Sequence, residues 1–291
     1  MKVIIVGGVA GGATAAARLR RLDETAEIVV FERSGYVSYA NCGLPYYIGG
    51  VITDKEELTL QTPESFWRRF RVDMRVRHEV TAIHPAEKTV DVRNLATGET
   101  FTESYDKLVL SPGARPTQPA LPGVGIDRLF TLRTVEDTLK IREFIEQHHP
   151  RSAVLAGGGF IGVELMENLR ELGIDVTVVQ RPRQLLNPLD ADMAAFLHAK
   201  LRQKGVRLHL GCTVEGFAAN GDRVNVLLKD EAGRGLEAEV FRQAAGRRCA
   251  VCGRAFSSAS NNAKYCPACR AAVQRRQKAD YARKRRAGVE K

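Results

Sequence analysis

One cysteine stands by itself in the stretch Ser38-Tyr39-Ala40-Asn41-Cys42-Gly43-Leu44-Pro45-Tyr46-Tyr47, where a first strand–helix–strand unit ends and a short helix is expected to begin. A thiol at a helix start meets the positive end of the macrodipole and backbone N–H groups without partners, and both favour thiolate. Thiolate is the form that attacks disulfides and peroxides. Taken alone, Cys42 also reads as a buried, inert thiol, and its surroundings must decide. Four further cysteines form Cys249-x2-Cys252-x13-Cys266-x2-Cys269. Two CxxC knuckles place four soft thiolates around a tetrahedral Zn²⁺, which folds a segment too small for a core of its own. The competing reading, a pair of redox CxxC motifs, needs a thioredoxin-like βαβ surround that the tail does not offer.

Positioning Cys42 falls to the elements before it. Val3-Ile4-Ile5-Val6 is a continuous apolar run, as expected of a parallel strand buried on both faces. Gly7-Gly8-Val9-Ala10-Gly11-Gly12 follows, then a helix over 13–22 and a strand over 27–31 that ends in Glu32. Strand, glycine turn, helix and a second strand closed by an acid form the dinucleotide arrangement. Gly7 permits the tight turn and Gly12 permits close helix–strand packing. The helix N-terminus then faces a pyrophosphate, and Glu32 reaches the ribose hydroxyls. Val9 stands where a middle glycine is usual.

A second unit starts at Ala153-Val154-Leu155-Ala156-Gly157-Gly158-Gly159-Phe160-Ile161-Gly162. Gly157, Gly159 and Gly162 complete G-x-G-x-x-G, ahead of a helix over 163–172 and a strand over 175–179. An acid at this strand end would bind the ribose diol and repel a 2′-phosphate. Gln180-Arg181-Pro182-Arg183 is neutral and then twice basic, which favours NADPH over NADH. Two such units in one chain suit a flavoprotein that binds FAD first and NAD(P)H second.

Between the units, Thr62-Pro63-Glu64 marks a helix start with proline at the first helical position. Residues 79–110 read as short strands with a hairpin turn at Ala96-Thr97-Gly98-Glu99. No apolar run reaches the roughly 18 residues of a membrane span, and the N-terminus runs straight into a strand without signal-peptide architecture. No membrane contact and a cytoplasmic location are the expectations. The net charge of +10 is unevenly placed: residues 247–291 hold 13 Lys+Arg against 2 Asp+Glu, while the rest holds 31 against 32. The basic residues in and just before a helix-like stretch over 271–286, with Tyr265 and Tyr281, suit phosphate attraction and hence nucleic acid.

Gly7–Gly12, Arg18-Leu19-Arg20-Arg21-Leu22, Phe31-Glu32-Arg33 and the Ser38–Tyr47 stretch together resemble the coenzyme A-disulfide reductases. These sit within the flavin-dependent pyridine nucleotide-disulfide oxidoreductases, close to the NADH oxidases and peroxidases, and Val9 at the middle position also occurs there. The resemblance implies FAD held by Gly7, Gly8, Val9, Ala10, Gly11, Gly12, Glu32, Arg33, Asn41, Ser111, Pro112 and Gly113. It implies NADPH or NADH at Gly157, Gly159, Phe160, Ile161, Gly162, Glu164, Gln180 and Arg181. It further implies Cys42 as the single redox cysteine and coenzyme A disulfide as substrate, lined by Thr14, Arg18, Arg21, Ser38 and Asn41. Arginines suit that role because coenzyme A carries several phosphate charges.

The resemblance ends after Arg248. The family continues through a second flavin segment and a dimerisation domain that supports a homodimer; neither is found here, and Gly221-Asp222 belongs to a hairpin turn. The expected fold is therefore α/β, with two Rossmann-like domains, FAD-binding over 1–112 (incomplete) and NAD(P)-binding over 113–246, plus a four-cysteine zinc tail with a basic helix over 247–291. The tail resembles small bacterial zinc-ribbon proteins that bind nucleic acid. Two functions follow: an FAD-dependent NAD(P)H oxidoreductase reducing a disulfide, peroxide or oxygen through Cys42, inactive if the truncation costs it the flavin; or a nucleic-acid-binding zinc protein with a non-catalytic flavoprotein remnant, including an accidental fusion.

Overall fold

The computed structural model describes residues 1–59, 61–221 and 223–240, with a short ladder at 247–248 and 255–256. The chain divides into two compact units, residues 1–118 with 130–142, and residues 119–129 with 143–291. Residues 130–142 thus return to the first unit after the chain has entered the second.

The first unit runs β1 (Lys2–Val6), α1 (Ala10–Leu22), β2 (Glu27–Glu32), a 3₁₀ turn (Asn41–Gly43), α2 (Leu44–Ile48), α3 (Pro63–Phe70), β3 (Asp73–Val76), β4 (His78–His84), β5 (Thr89–Asn94), β6 (Thr100–Ser104), β7 (Lys107–Leu110) and the start of α4 (Val135–His148). Its sheet is parallel, in the order β3-β2-β1-β7. Alternate residues serve opposite faces, as strand geometry demands. Val3, Ile5, Ile28 and Val30 pack with Ala13 and Ala16 of α1 and Phe66 of α3. Ile4, Val29 and Phe31 pack with Val90 and Val92 of β5. Burial on both faces explains why Val3–Val6 reads as an unbroken apolar run.

Of the strands expected over 79–110, β4, β5 and β6 make an antiparallel meander, and β7 leaves it to pair with β1. Both glycine-turn helices begin three residues earlier than their sequences suggest, at Ala10 rather than 13 and at Phe160 rather than 163. Gly11, Gly12 and Gly162 read as turn residues but take helical backbone, because the first helical turn must press against the glycine loop. Thr62 caps α3 in a reciprocal capping box with Ser65.

The second unit contains β8 (Ser152–Ala156), α5 (Phe160–Glu171), β9 (Asp175–Gln180), α6 (Ala191–Gln203) and β10 (Arg207–Leu210), with a parallel sheet in the order β10-β9-β8. An antiparallel sheet of β11 (Cys212–Asn220), β12 (Arg223–Asp230) and β13 (Gly235–Val240) follows. Cys212 is buried in its core with Val179, Val226 and Leu228. Burial pushes the Cys212 thiol up, helped by Asp230 and Glu231, so it is a packing residue. Last come β14 (Arg247–Arg248) and β15 (Ala255–Phe256), paired antiparallel. Among the described residues no helix is long and apolar enough to cross a membrane.

Candidate active site

The two glycine turns are built to one plan. Gly7 takes φ +97° and Gly157 φ +116°, a backbone region that favours glycine. Gly7 N–H donates to Phe31 O at 2.8 Å, and Gly157 N–H to Val179 O at 2.9 Å. A side-chain carbon on Gly12 would stand 1.7 Å from Gly7 O, and one on Gly162 2.3 Å from Gly157 O. No larger residue fits either position, so each helix start is drawn onto its turn. Each turn's second glycine also donates to the side chain that ends the next strand. Gly8 N–H reaches Glu32 Oε2 at 2.7 Å, and Gly158 N–H reaches Gln180 Oε1 at 2.9 Å.

That repeated contact isolates the one chemical difference between the units. In the first the strand ends in a buried carboxylate, whose Oε1 also accepts from Ser34 N–H at 2.8 Å. Each oxygen keeps acceptor capacity for a ribose hydroxyl. In the second it ends in a neutral amide, with Arg181 and Arg183 following. Helix N-terminus, glycine cradle and ribose acceptor fit a dinucleotide in the first unit. The second unit repeats the helix N-terminus and the glycine cradle, with an amide in place of the carboxylate.

Cys42 lies in the 3₁₀ turn that leads into α2, and its side chain is exposed, so the reading of a buried thiol is set aside. The turn is anchored through Gly43 N–H to Ala40 O at 2.9 Å and through Ala40 N–H to Leu58 O at 2.9 Å. At the far end of α2, Arg142 Nη1 donates to Tyr47 O at 3.0 Å and Ile48 O at 3.1 Å. Leu44, Leu58, Tyr39 and Val135 are buried together beneath the segment. Asn41 Oδ1, in the same 3₁₀ turn, is buried without a hydrogen-bond partner.

A cavity of about 430 Å³ opens over α1 and α3, lined among others by Val9, Thr14, Arg21, Ser38, Tyr39, Gln61, Phe66 and Arg69. It gathers three of the expected substrate residues, Thr14, Arg21 and Ser38. Arg18 is exposed on α1 and does not line it. Gln61, Phe66 and Arg69 were not anticipated. The available signal was the capped helix start at Thr62-Pro63, which carries an arginine onto α3, although nothing local says which cavity it borders. Burial first, then the Glu32 charge, pushes the Tyr39 phenol up to about 12, so it faces the cavity as a neutral hydroxyl at physiological pH.

The other expected residues are dispersed around this core. Ser111 O closes on Gly7, where a side-chain carbon would lie 2.0 Å away, while Pro112 and Gly113 are exposed. Arg33 Nη1 lies 3.6 Å from Glu79 Oε1, an exposed ion pair. Phe160 and Ile161 are exposed at the start of α5, and Glu164 is half-buried one turn on. Cys249, Cys252, Cys266 and Cys269 lie outside the described residues, among which no cluster of His, Cys, Asp or Glu is arranged to hold a metal.

The family model described as pyridine nucleotide-disulphide oxidoreductase matches residues 1–259. The chain belongs to this family. The match runs past Arg248, where the motif resemblance ends, and takes in β14 and β15. A coenzyme A disulfide reductase of Staphylococcus haemolyticus is 41% identical over 209 residues, 72% of this chain and 47% of the relative. The crystal structure of reduced Bacillus anthracis CoADR-RHD is similar with a TM-score of 0.77 at 48% identity, covering 81% of this chain and 42% of that one. A NAD-dependent persulfide reductase from A. fulgidus has a TM-score of 0.76 at 34% identity, covering 82% of this chain and 44% of that one. The chain spans about half the length of the curated relatives it matches.

Proposed function

We propose that the chain is an FAD- and NADPH-dependent oxidoreductase of the coenzyme A-disulfide reductase type, which reduces a small-molecule disulfide through Cys42. The observation that carries this reading is the duplicated glycine turn, acidic at one strand end and neutral at the other, with an exposed cysteine following the acidic one. The similarity to coenzyme A disulfide reductases supports the substrate class. NADPH is preferred because Gln180 brings no negative charge to the strand end and Arg181 brings a positive one. A relative described as NAD-dependent shows that the family does not impose that choice.

The chain's own residues account for binding and for the first exchange. Arg21 and Arg69 meet phosphate groups of the substrate at the cavity, where guanidinium geometry suits phosphate oxygens. The Cys42 thiolate attacks one sulfur of the disulfide. The old S–S bond breaks, one thiol leaves with a proton from solvent, and a mixed disulfide remains on Cys42. Returning Cys42 to the thiolate takes an electron pair and a proton, which is the chemistry that FAD with NADPH supplies when bound.

Mass spectrometry of the full chain after incubation with coenzyme A disulfide tests the exchange without requiring turnover. The expected result is one coenzyme A adduct mapped to Cys42 and absent from Cys42→Ser. An adduct confined to Cys212, or none, overturns it.

For the tail we propose a bound Zn²⁺ at Cys249, Cys252, Cys266 and Cys269. Pairing of β14 with β15 supports this, since the connection between those strands carries Cys249 and Cys252. Metal analysis of the purified chain should find one zinc, lost on Cys266→Ser. A gel shift with DNA or RNA then tests whether the basic tail binds nucleic acid, the second function open to this chain.

A further inference from the structure

The two arginines after β9 are not equivalent. Arg181 is exposed and makes no ion pair among the described residues. Arg183 is clasped by Glu231: its Nε donates to both carboxylate oxygens at 2.9 Å, and its Nη2 closes a further bond to Oε2. Bidentate arginine–carboxylate geometry is the strong form of such a pair. The hydrogen bonds of the clasp hold the Glu231 carboxyl below its ordinary range and push the Arg183 guanidinium above its own.

Glu231 does not wander to find its arginine. It sits in the turn after β12, which is ordered by Gly233 N–H to Asp230 O at 3.0 Å and by Arg234, bonded through its backbone and guanidinium to Asp230 at 2.8 Å. Arg234 is thereby committed to Asp230. The Glu231 carboxylate also lies over Gly211, where a side-chain carbon would stand 2.9 Å from Oε1. Gly211 N–H in turn donates to Pro182 O at 3.1 Å, next to Arg183 itself. The acid is therefore built onto the same corner as the arginine turn.

Gln180 is occupied on both sides, with Oε1 accepting from Gly158 N–H and Nε2 donating to Gln184 O at 3.3 Å. It contributes shape without charge. The charge that a 2′-phosphate meets is then set by Arg181, Arg183 and Glu231.

We infer that Glu231 sets the cofactor selectivity of the second cradle, by clasping Arg183 so that Arg181 alone meets the 2′-phosphate of an adenine dinucleotide. This rests on the nucleotide reading of the second glycine turn. Removing the Glu231 charge frees a second guanidinium for the phosphate. An NAD-type ribose carries no 2′-phosphate and gains nothing from the change.

Isothermal titration of the full chain with 2′,5′-ADP and with 5′-AMP tests this without flavin or turnover. Glu231→Gln should tighten 2′,5′-ADP about 2- to 5-fold, in the range of exposed charge pairs, with 5′-AMP unchanged. Arg183→Gln in the Glu231→Gln background should return 2′,5′-ADP to about its wild-type affinity, because the freed guanidinium is the source of the gain. Unaltered 2′,5′-ADP binding in Glu231→Gln overturns the inference, as do equal gains for both ligands or a gain that survives loss of Arg183. If wild type binds neither ligand, the nucleotide reading falls and this inference with it, an outcome distinct from the others.

Discussion

Exchanging the Cys42 sulfur for oxygen removes the nucleophile and little else, since the side chain is exposed and the turn is held by backbone bonds at Gly43 and Ala40. Cys42→Ser is predicted to lose disulfide reduction while melting within a degree or two of wild type, as exposed substitutions do; calorimetry beside a thiol-release assay checks both halves. At the cavity, Arg21→Gln and Arg69→Gln should each raise KM for coenzyme A disulfide about tenfold, the size of one charge-assisted phosphate contact. The same variants should leave KM for a small uncharged disulfide unchanged, which a merely structural role would not do. Arg18→Gln, outside the cavity lining, should change neither.

Elements are held by side chains that do no chemistry. Arg20 donates to five carbonyls: Phe70 O, Asp23 O, Glu24 O, Ala26 O and Arg71 O, at 2.7 to 3.1 Å. It ties the end of α1 to the end of α3, and the cavity lies over both helices. Arg20→Ala should destabilise the first unit by about 2–3 kcal/mol, and Arg20→Lys should rescue little, because one ammonium cannot span the fork. In the second unit, His198 Nε2 accepts from Leu185 N–H at 3.1 Å, and the Leu185 side chain packs against Gly158. Burial, aided by Arg202, holds the His198 imidazole below its ordinary range. The folded state binds this proton less readily than the unfolded chain. The His198 contribution to stability is therefore intact above about pH 6.5, the unfolded value, and fades as pH falls through the lowered folded value. Melting temperature should decline from pH 7 to pH 5 more steeply in wild type than in His198→Gln; parallel slopes would count against this role.

Much of that element-level design was readable from the residues, and the exceptions have a common cause. Val3–Val6, both glycine turns and the Thr62 helix start are local patterns, and each forms where it is read, with the two glycine-turn helices starting three residues early. Arg69, Arg142 and Arg183 acquire their roles from partners remote in sequence. Glu231 is 48 residues from Arg183, and Arg142 is 94 and 95 residues from the carbonyls it caps. The charges after Gln180 were visible as two arginines, but the neutralisation of one of them was not.

For the whole molecule, the two glycine turns repeat one backbone plan, while the first sheet ends on β7, which pairs only with β1 among the described residues. Leu110 on that edge strand is 57% exposed. An exposed, partly apolar strand edge favours association between copies. Light scattering should show the chain more prone to aggregate without FAD than with it. The central claim is that reducing power from NADPH reaches a disulfide through Cys42. Its most direct test mixes the FAD-loaded chain anaerobically with NADPH and coenzyme A disulfide, and counts thiols released against NADPH consumed. The expected result is a pair of thiols for each NADPH in wild type and only background in Cys42→Ser; equal thiol release by Cys42→Ser would contradict it.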